Sequence, residues 1–261
     1  MILCLDVGNS QIFGGVFAGE KLLLRFRHET YHRSTSDQLG IFLKNVLSAN
    51  GLDPETIEHI AIASVVPSLD YSIGSACIKY FDLEPFWLRV GVKTGLKINT
   101  KNPSELGADL VATAIAASEQ FANKNLIVAD FGTATTFVPI KKNKEFLGAI
   151  FQVGLRTAMQ ALQSQTEQLP TVQIVAPKQV LGRDSISAIQ SGLYYGQLGA
   201  LREVLTHLQH EIFAGEKPVI IGTGGFAHLF AKEKLFTAIV PDLVLQGVRL
   251  ALQFNLPAPP S

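Results

Sequence analysis

Two short segments carry residues whose types and order suit phosphate chemistry. Residues 2–13 read Ile-Leu-Cys-Leu-Asp-Val-Gly-Asn-Ser-Gln-Ile-Phe. An apolar run ends in Asp6; Gly8, Asn9 and Ser10 follow, and apolar residues resume. The pattern predicts a buried strand, a tight turn and a second strand. Gly8 lets the backbone bend and approach a ligand closely. Asp6 then ends a core strand beside a turn whose N–H groups can face an anion. A carboxylate in that place makes sense if a cation sits between it and the anion. Residues 126–137 repeat the order with Asp130, Gly132, a run of hydroxyl residues and Phe137. Phe13 and Phe137 fall in register, and residues 21–25 echo 145–149. Two such units predict a duplicated domain with both turns facing one cleft. Two ordinary hairpins of common turn composition are the plain alternative.

A third carboxylate follows a polar, irregular stretch. Asn102-Pro103-Ser104-Glu105 leads into Leu106-Gly107-Ala108-Asp109, and an Ala-rich helix is predicted over 108–121. Small residues on both faces suit a helix packed closely between two domains. Asp109 falls in its first turn, where an acidic residue can simply complement the helix dipole. The other reading is a carboxylate held at the floor of a cleft. Further on, Gly222-Thr223-Gly224-Gly225 joins a strand over 218–222 to a helix from Phe226, a turn that suits a nucleotide. It is not the six-position dinucleotide fingerprint, and neither a P-loop nor a Gly-x-Ser-x-Gly elbow occurs. His207 and His210, with only Glu211 nearby, read as a solvated face rather than a zinc site.

These residues need a scaffold, and 261 residues suffice for one large or two medium domains with a real core. Apolar content of 47% and zero net charge argue against nucleic acid held on a basic surface. The start of the chain lacks the basic region of a signal peptide, and no apolar run is long enough to span a membrane. The expectation is a cytoplasmic protein. Cys4 and Cys77, both in apolar segments, read as buried thiols in a reducing compartment.

The first half reads as three strands, helix, strand, helix, strand. After a turn at Gly19-Glu20 the third strand covers 21–27. Thr35 and Gln38 resemble a capping box before a helix with Leu39, Phe42, Leu43, Val46 and Leu47 on one face. Asn50-Gly51 stops it. A strand over 57–66 ends at Pro67, Ser68 caps a helix to Tyr80, and 86–90 is a short strand. The second half opens with the repeated unit, whose third strand covers 145–153 with an interruption at Gly148. A helix follows Gly154 to about Gln165, then a loop containing Pro170 and Pro177. A long helix over 184–213 contains Gly192, Gly196 and Gly199. Glycine weakens a helix, so another backbone is expected to pass close, from a second subunit or from the same core. Pro241 and Asp242 open the last helix, and the tail 257–261 is expected to be disordered.

The doubled Asp-x-Gly turns resemble the acetate kinase, sugar kinase, Hsp70 and actin superfamily. Within it the chain resembles the type III pantothenate kinases. The resemblance is carried by Asp6-Val-Gly-Asn-Ser10, by Asn102-Pro103 through Gly107-Ala108-Asp109, and by Asp130-Phe-Gly-Thr-Ala-Thr-Thr136. Gly148-Ala-Ile150 with Gly154-Leu155, and Thr223-Gly224-Gly225, complete it. The segments occur in the family's order over nearly the whole chain.

The resemblance implies an α/β fold of two duplicated actin-like (ribonuclease H-like) domains, each with a mixed five-stranded sheet, around a nucleotide cleft. It implies a first domain over 1–117 with the phosphate turn and pantothenate segment. A second over 118–261 would carry the cation site, the adenosine-side turn and a dimer helix. The implied activity is ATP-dependent phosphorylation of pantothenate, the first step of coenzyme A synthesis. Asp6, Val7, Gly8, Asn9, Ser10, Gln11, Ile12 and Phe13 would hold ATP, with Thr133 adding a contact. Asp6 would act on magnesium through water. Asp130 would bind a monovalent cation, potassium or ammonium. Gly107, Ala108, Asp109, Leu110, Thr100 and Ser185 would hold pantothenate, with Asp109 as base. The family's homodimer is implied as well.

The chain departs from that pattern in places. Leu110 stands where the family usually has Arg, which removes a fork of donors. Thr100 replaces a common Tyr, Ser185 a Thr and Val153 a Pro. The departures bear on the substrate side more than on ATP, and Arg183 is a basic residue that could substitute for the missing one. They leave open a kinase for another small alcohol or sugar, or a nucleotide-binding regulatory homologue without turnover.

Overall fold

The computed structural model describes residues 1–257, so most of the expected disordered tail (258–261) lies outside the described residues. The chain forms two compact units. One comprises Met1–Gly95, Lys101–Ala116 and the chain from Leu243 on; the other comprises Leu96–Thr100 and Ala117–Asp242.

The first unit is built on a five-stranded mixed sheet. Its strands are β1 (Ile2–Val7), β2 (Gln11–Ala18), β3 (Lys21–Glu29), β4 (His59–Ser64) and β5 (Phe86–Trp87), in the order β3-β2-β1-β4-β5. The hairpin pairs β1/β2 and β2/β3 are antiparallel, and β1/β4 and β4/β5 are parallel. Strand side chains alternate between faces. Leu3, Leu5, Val7, Ile12 and Val16 meet helices α1 (Ser36–Ala49) and α2 (Pro67–Phe81) through Leu39, Leu43, Leu47, Leu69 and Ile73. Each such buried Leu or Ile contributes roughly 1.5–3 kcal/mol. The Thr35–Gln38 capping box that opens α1 is present in full. Pro67, expected to end a strand, is instead the first residue of α2, a place where its missing N–H costs nothing. Cys77 packs in this core, its thiol pushed up to about 12 by burial. Cys4 alternates to the opposite face, and both cysteines are free.

That opposite face is covered by the last helix, α6 (Leu243–Asn255). The Arg249 guanidinium lies 5.5 Å from the Phe17 ring centroid. A Cβ on Gly247 would lie 1.8 Å from the Ala112 carbonyl oxygen, so α6 and helix α3 (Ala108–Gln120) touch backbone to backbone. This close seat places α6 in the first unit, whereas the sequence division assigned it to a continuous 118–261 domain.

The second unit repeats the topology. Its central strands are β7 (Leu126–Phe131), β8 (Ala134–Lys141), β9 (Glu145–Phe146), β11 (Val219–Gly224) and β12 (Ala238–Ile239). They lie in the order β9-β8-β7-β11-β12, with the same antiparallel and parallel pairs, position for position, as the first sheet. The sheet has seven strands rather than the expected five. Strand β6 (Lys97–Ile98) adds to β9, and β10 (Ile150–Val153) folds back onto β8. The interruption expected at Gly148 within 145–153 is present: Gly148, whose φ of +141° favours glycine, separates β9 from β10. Helices α4 (Leu155–Ser164) and α5 (Ser185–Phe213) complete the unit. The core joins Ile127, Ala129, Phe131 and Phe137 to Leu193, Leu198 and Leu201 of α5.

One detail of the repeat differs from expectation. Asp6 pairs with Phe13 across β1/β2, but Asp130 pairs with Thr136, because the second turn is one residue shorter. A one-residue slip exchanges faces. Phe137 therefore joins Ala129 in the α5-side core, while Phe13 shares the face of Asp6.

Candidate active site

In the first unit Asp6 stands at the end of β1, half-buried, opposite Phe13 on β2 and Ala63 on β4. The turn closes with the Gly8 N–H donating to the Gln11 carbonyl at 3.1 Å. It is also held from β3. The Thr30 hydroxyl donates to the Gly8 carbonyl at 2.7 Å, and the Thr30 N–H donates to the Ser10 carbonyl at 3.1 Å. Asn9 and Ser10 are exposed. Val7, Ile12 and Phe13 are buried, so toward any ligand they present only backbone. Arg27 lies 3.9 Å from the Phe13 ring centroid and donates to the Gln11 side chain at 3.5 Å. Sequence reading missed Thr30; its signal was a polar residue at the end of a strand that returns to the turn.

Asp109 is the second residue of α3, and its Oδ1 accepts from the Leu110 N–H at 2.8 Å. Burial raises its carboxyl above the usual aspartate value, partly offset by the N–H groups of Leu110 and of Asp109 itself. Asp109 is thus a first-turn acid whose carboxylate is largely withdrawn from water. A raised value makes a better proton acceptor near neutral pH. A Cβ on Gly107 would lie 2.3 Å from Asp109 Oδ1 and 3.3 Å from Val65 Cγ1. Ala108 is half-buried, and Leu110 is 4% exposed, so its side chain faces the core. The polar segment before them is ordered by Asn102, whose side chain accepts from the Ser104 N–H at 3.3 Å and opens a 3-10 turn over Pro103–Glu105.

In the second unit Asp130 ends β7, opposite Thr136 on β8 and Thr223 on β11. Strand β11 runs through Gly224, and the helix expected from Phe226 is a 3-10 segment, Ala227–Glu233. Gly224 has φ +83°, and a Cβ on it would lie 2.2 Å from Asp130 Oδ1. Thr136 Oγ1 is buried with no hydrogen-bond partner. Thr133 is exposed, and its carbonyl accepts from the Thr157 hydroxyl at 2.8 Å and the Gly154 N–H at 3.2 Å. Thr100 is half-buried, its hydroxyl also buried without a partner. Ser185 is exposed at the first position of α5, beside the Asp184 cap. It lines a groove of about 1040 Å³ with Arg183, Val153, Leu162 and Ile189.

The donor set can be tested against the cations the resemblance implies. Among the described residues no three His, Cys, Asp or Glu side chains come together. Magnesium keeps most of its waters and takes one or two carboxylates plus phosphate oxygens; Asp6, half-buried at the end of β1 beside the turn, is a carboxylate that fits this role. At Asp130, whose Oδ1 already fills the space a side chain on Gly224 would take, the buried Thr136 hydroxyl without a partner stands opposite on β8 and fits an oxygen-liganded cation.

A family model described as type III pantothenate kinase matches residues 2–207. A type III pantothenate kinase from Legionella pneumophila (strain Corby) is 56% identical over 255 residues, covering 98% of this chain and 99% of its own. Type III pantothenate kinase 1 from Francisella tularensis subsp. holarctica (strain OSU18) is 47% identical over 255 residues, covering 98% and 100%. Among solved structures, an ethanolamine utilization protein from Carboxydothermus hydrogenoformans aligns with TM-score 0.56 at 12% identity over 95% of this chain and 88% of its own. A ROK family glucokinase from Streptomyces griseus, in complex with glucose and AMPPNP, aligns with TM-score 0.50 at 14% identity over 97% and 99%. At such identities the likeness speaks to the fold, which is that of the actin-like kinases.

Proposed function

The chain belongs to the type III pantothenate kinase family, and we infer that it transfers the terminal phosphoryl group of ATP to the primary alcohol of pantothenate, opening coenzyme A synthesis. The observation that carries the mechanism is Asp109: a carboxylate at a helix start, mostly withdrawn from water, with its proton affinity raised. Its Oδ1 is held by the Leu110 N–H, which fixes the group for the incoming hydroxyl. As the alcohol oxygen bonds to phosphorus, Asp109 accepts its proton. Gly107, Ala108 and Leu110, whose side chain faces the core, supply backbone around the substrate, with Thr100 and Ser185 as further substrate residues. The turn over Gly8–Gln11, with its flanking residues Asp6, Val7, Ile12 and Phe13, holds the phosphates through N–H groups. Thr133 adds a contact to ATP. Asp6 would hold magnesium through water, and the ion would supply charge neutralisation when bound.

Asp130 would hold potassium or ammonium, supported by the unpartnered Thr136 hydroxyl opposite it. The enzyme works as a homodimer. On α5, Gly192, Gly196 and Gly199 are exposed and a Cβ on any of them would meet no atom within 4 Å, and the apolar Ile186, Tyr195, Phe151 and Val153 are exposed in the same unit. Bare apolar surface of this kind marks an interface, and a second copy covers it. A cytoplasmic location is part of this reading; among the described residues no helix is long and apolar enough to cross a membrane. Incubation with MgATP and pantothenate, with 4'-phosphopantothenate identified by mass spectrometry, tests the reading. Phosphorylation of another small alcohol in its place would redirect it.

A further inference from the structure

The structure assigns Thr30 as the positioning residue of the phosphate turn, an assignment that rests on the reading of Gly8–Gln11 as that turn. Thr30 lies one residue past the end of β3, outside every motif that marks the family resemblance. It is 8% exposed and makes two bonds to the turn. Its hydroxyl donates to the Gly8 carbonyl at 2.7 Å and its N–H to the Ser10 carbonyl at 3.1 Å. Both bonds pull carbonyl oxygens toward β3. A peptide unit is planar, with its C=O and N–H on opposite sides. Holding the Gly8 oxygen toward Thr30 therefore aims the Asn9 N–H away from β3, out of the turn. Asn9 is exposed, so that N–H is presented where an anion can reach it. The same two bonds keep carbonyl oxygens, which repel phosphate, from rotating into the position of the N–H groups.

The bond from the turn's own backbone, Gly8 N–H to Gln11 carbonyl, fixes only its closing end. Without the Thr30 hydroxyl the Gly8–Asn9 peptide has no bond from β3 and can flip. Glycine tolerates either peptide orientation, so residue 8 itself offers no resistance. Thr30 thus preorganises an oxyanion-binding backbone without touching the nucleotide.

The test is steady-state kinetics and nucleotide binding on the full-length protein, for wild type, Thr30→Val, Thr30→Ser and the core control Val16→Ala. Thr30→Val keeps the shape and removes the donor. Loss of one hydrogen bond to a buried carbonyl converts to about a tenfold effect. The expected result is a KM for ATP raised about tenfold, with kcat and the KM for pantothenate within about twofold of wild type. Thr30→Ser restores ATP binding because it keeps the hydroxyl. Val16→Ala lowers the melting temperature and leaves the KM for ATP unchanged. An unchanged KM for ATP in Thr30→Val, or a loss matched by Val16→Ala at equal loss of melting temperature, would overturn the assignment. Asp6→Asn separates the two levels. If it weakens MgATP binding while Thr30→Val does not, the turn reading stands and the Thr30 assignment falls. If neither changes ATP binding, the turn reading falls with it.

Discussion

The Asp109 carboxylate occupies the space in which a side chain on Gly107 would begin: a Cβ built there lies 2.3 Å from Oδ1. Gly107 has no left-handed backbone angle, so alanine meets no conformational obstacle there. Gly107→Ala should therefore push the carboxylate aside at little cost in stability. We expect kcat to fall at least tenfold, about 1.4 kcal/mol of transition-state stabilisation. The melting temperature should stay within a few degrees. Assays beside a thermal melt check this, and full activity in Gly107→Ala would show that the present carboxylate position is immaterial.

The raised proton affinity of Asp109 fixes a sign in pH. Its folded-state value lies above the unfolded one because burial disfavours the charge. The protonated form thus favours the fold, and that contribution is lost as pH rises through the folded value. At neutral pH Asp109→Asn should be at least as stable as wild type, and their stabilities should converge in acid. The acid limb of wild-type kcat/KM should sit above the ordinary aspartate range. Denaturant titrations and a pH–rate profile measure both.

At Gly224 two obstacles coincide: φ is +83°, and a Cβ would meet Asp130 Oδ1 at 2.2 Å and the Phe131 nitrogen at 2.7 Å. Gly224→Ala should cost about 1–3 kcal/mol in stability. It should also displace Asp130 and abolish any potassium-dependent rise in melting temperature. Retention of a wild-type potassium response in this variant would place the cation elsewhere.

Gly196 distinguishes a free helix face from a covered one. In an open helix, Gly→Ala stabilises by roughly 0.5–1 kcal/mol. Against a second copy, a bulky residue there must separate the two backbones. Gly196→Leu should shift the protein from dimer to monomer in sedimentation equilibrium, while the monomer keeps its helical circular dichroism. An unchanged dimer would move the interface off α5.

Local signals were the most legible in the sequence. The Thr35–Gln38 capping box, the Asp184 start of α5 and the two Asp-x-Gly turns depend on neighbours within a few residues, and each stands where expected. Features set by distant partners were not legible. The extension of β11 through Gly224 depends on its pairing with Phe131. The interruption at Gly148 was legible, but the return of β10 onto β8 beyond it was not. The one-residue difference between the turns is invisible in residue order, because Phe13 and Phe137 are equally spaced from their aspartates. The seat of α6 in the first unit depends on Gly247 against Ala112, far apart in the chain. At the site, the carboxylates announced themselves by type and place. Thr30 did not, since its role is visible only from the carbonyls it holds.

The most direct measurement is pantothenate-dependent ADP release by wild type and by Asp109→Asn, at neutral pH in potassium buffer, with both proteins shown to be folded. Wild type should turn over only when pantothenate is present. Asp109→Asn should still bind MgATP while its kcat falls by a factor of about 10²–10⁴, the usual worth of a general base. An Asp109→Asn enzyme with wild-type turnover would contradict the assignment of Asp109 as the base.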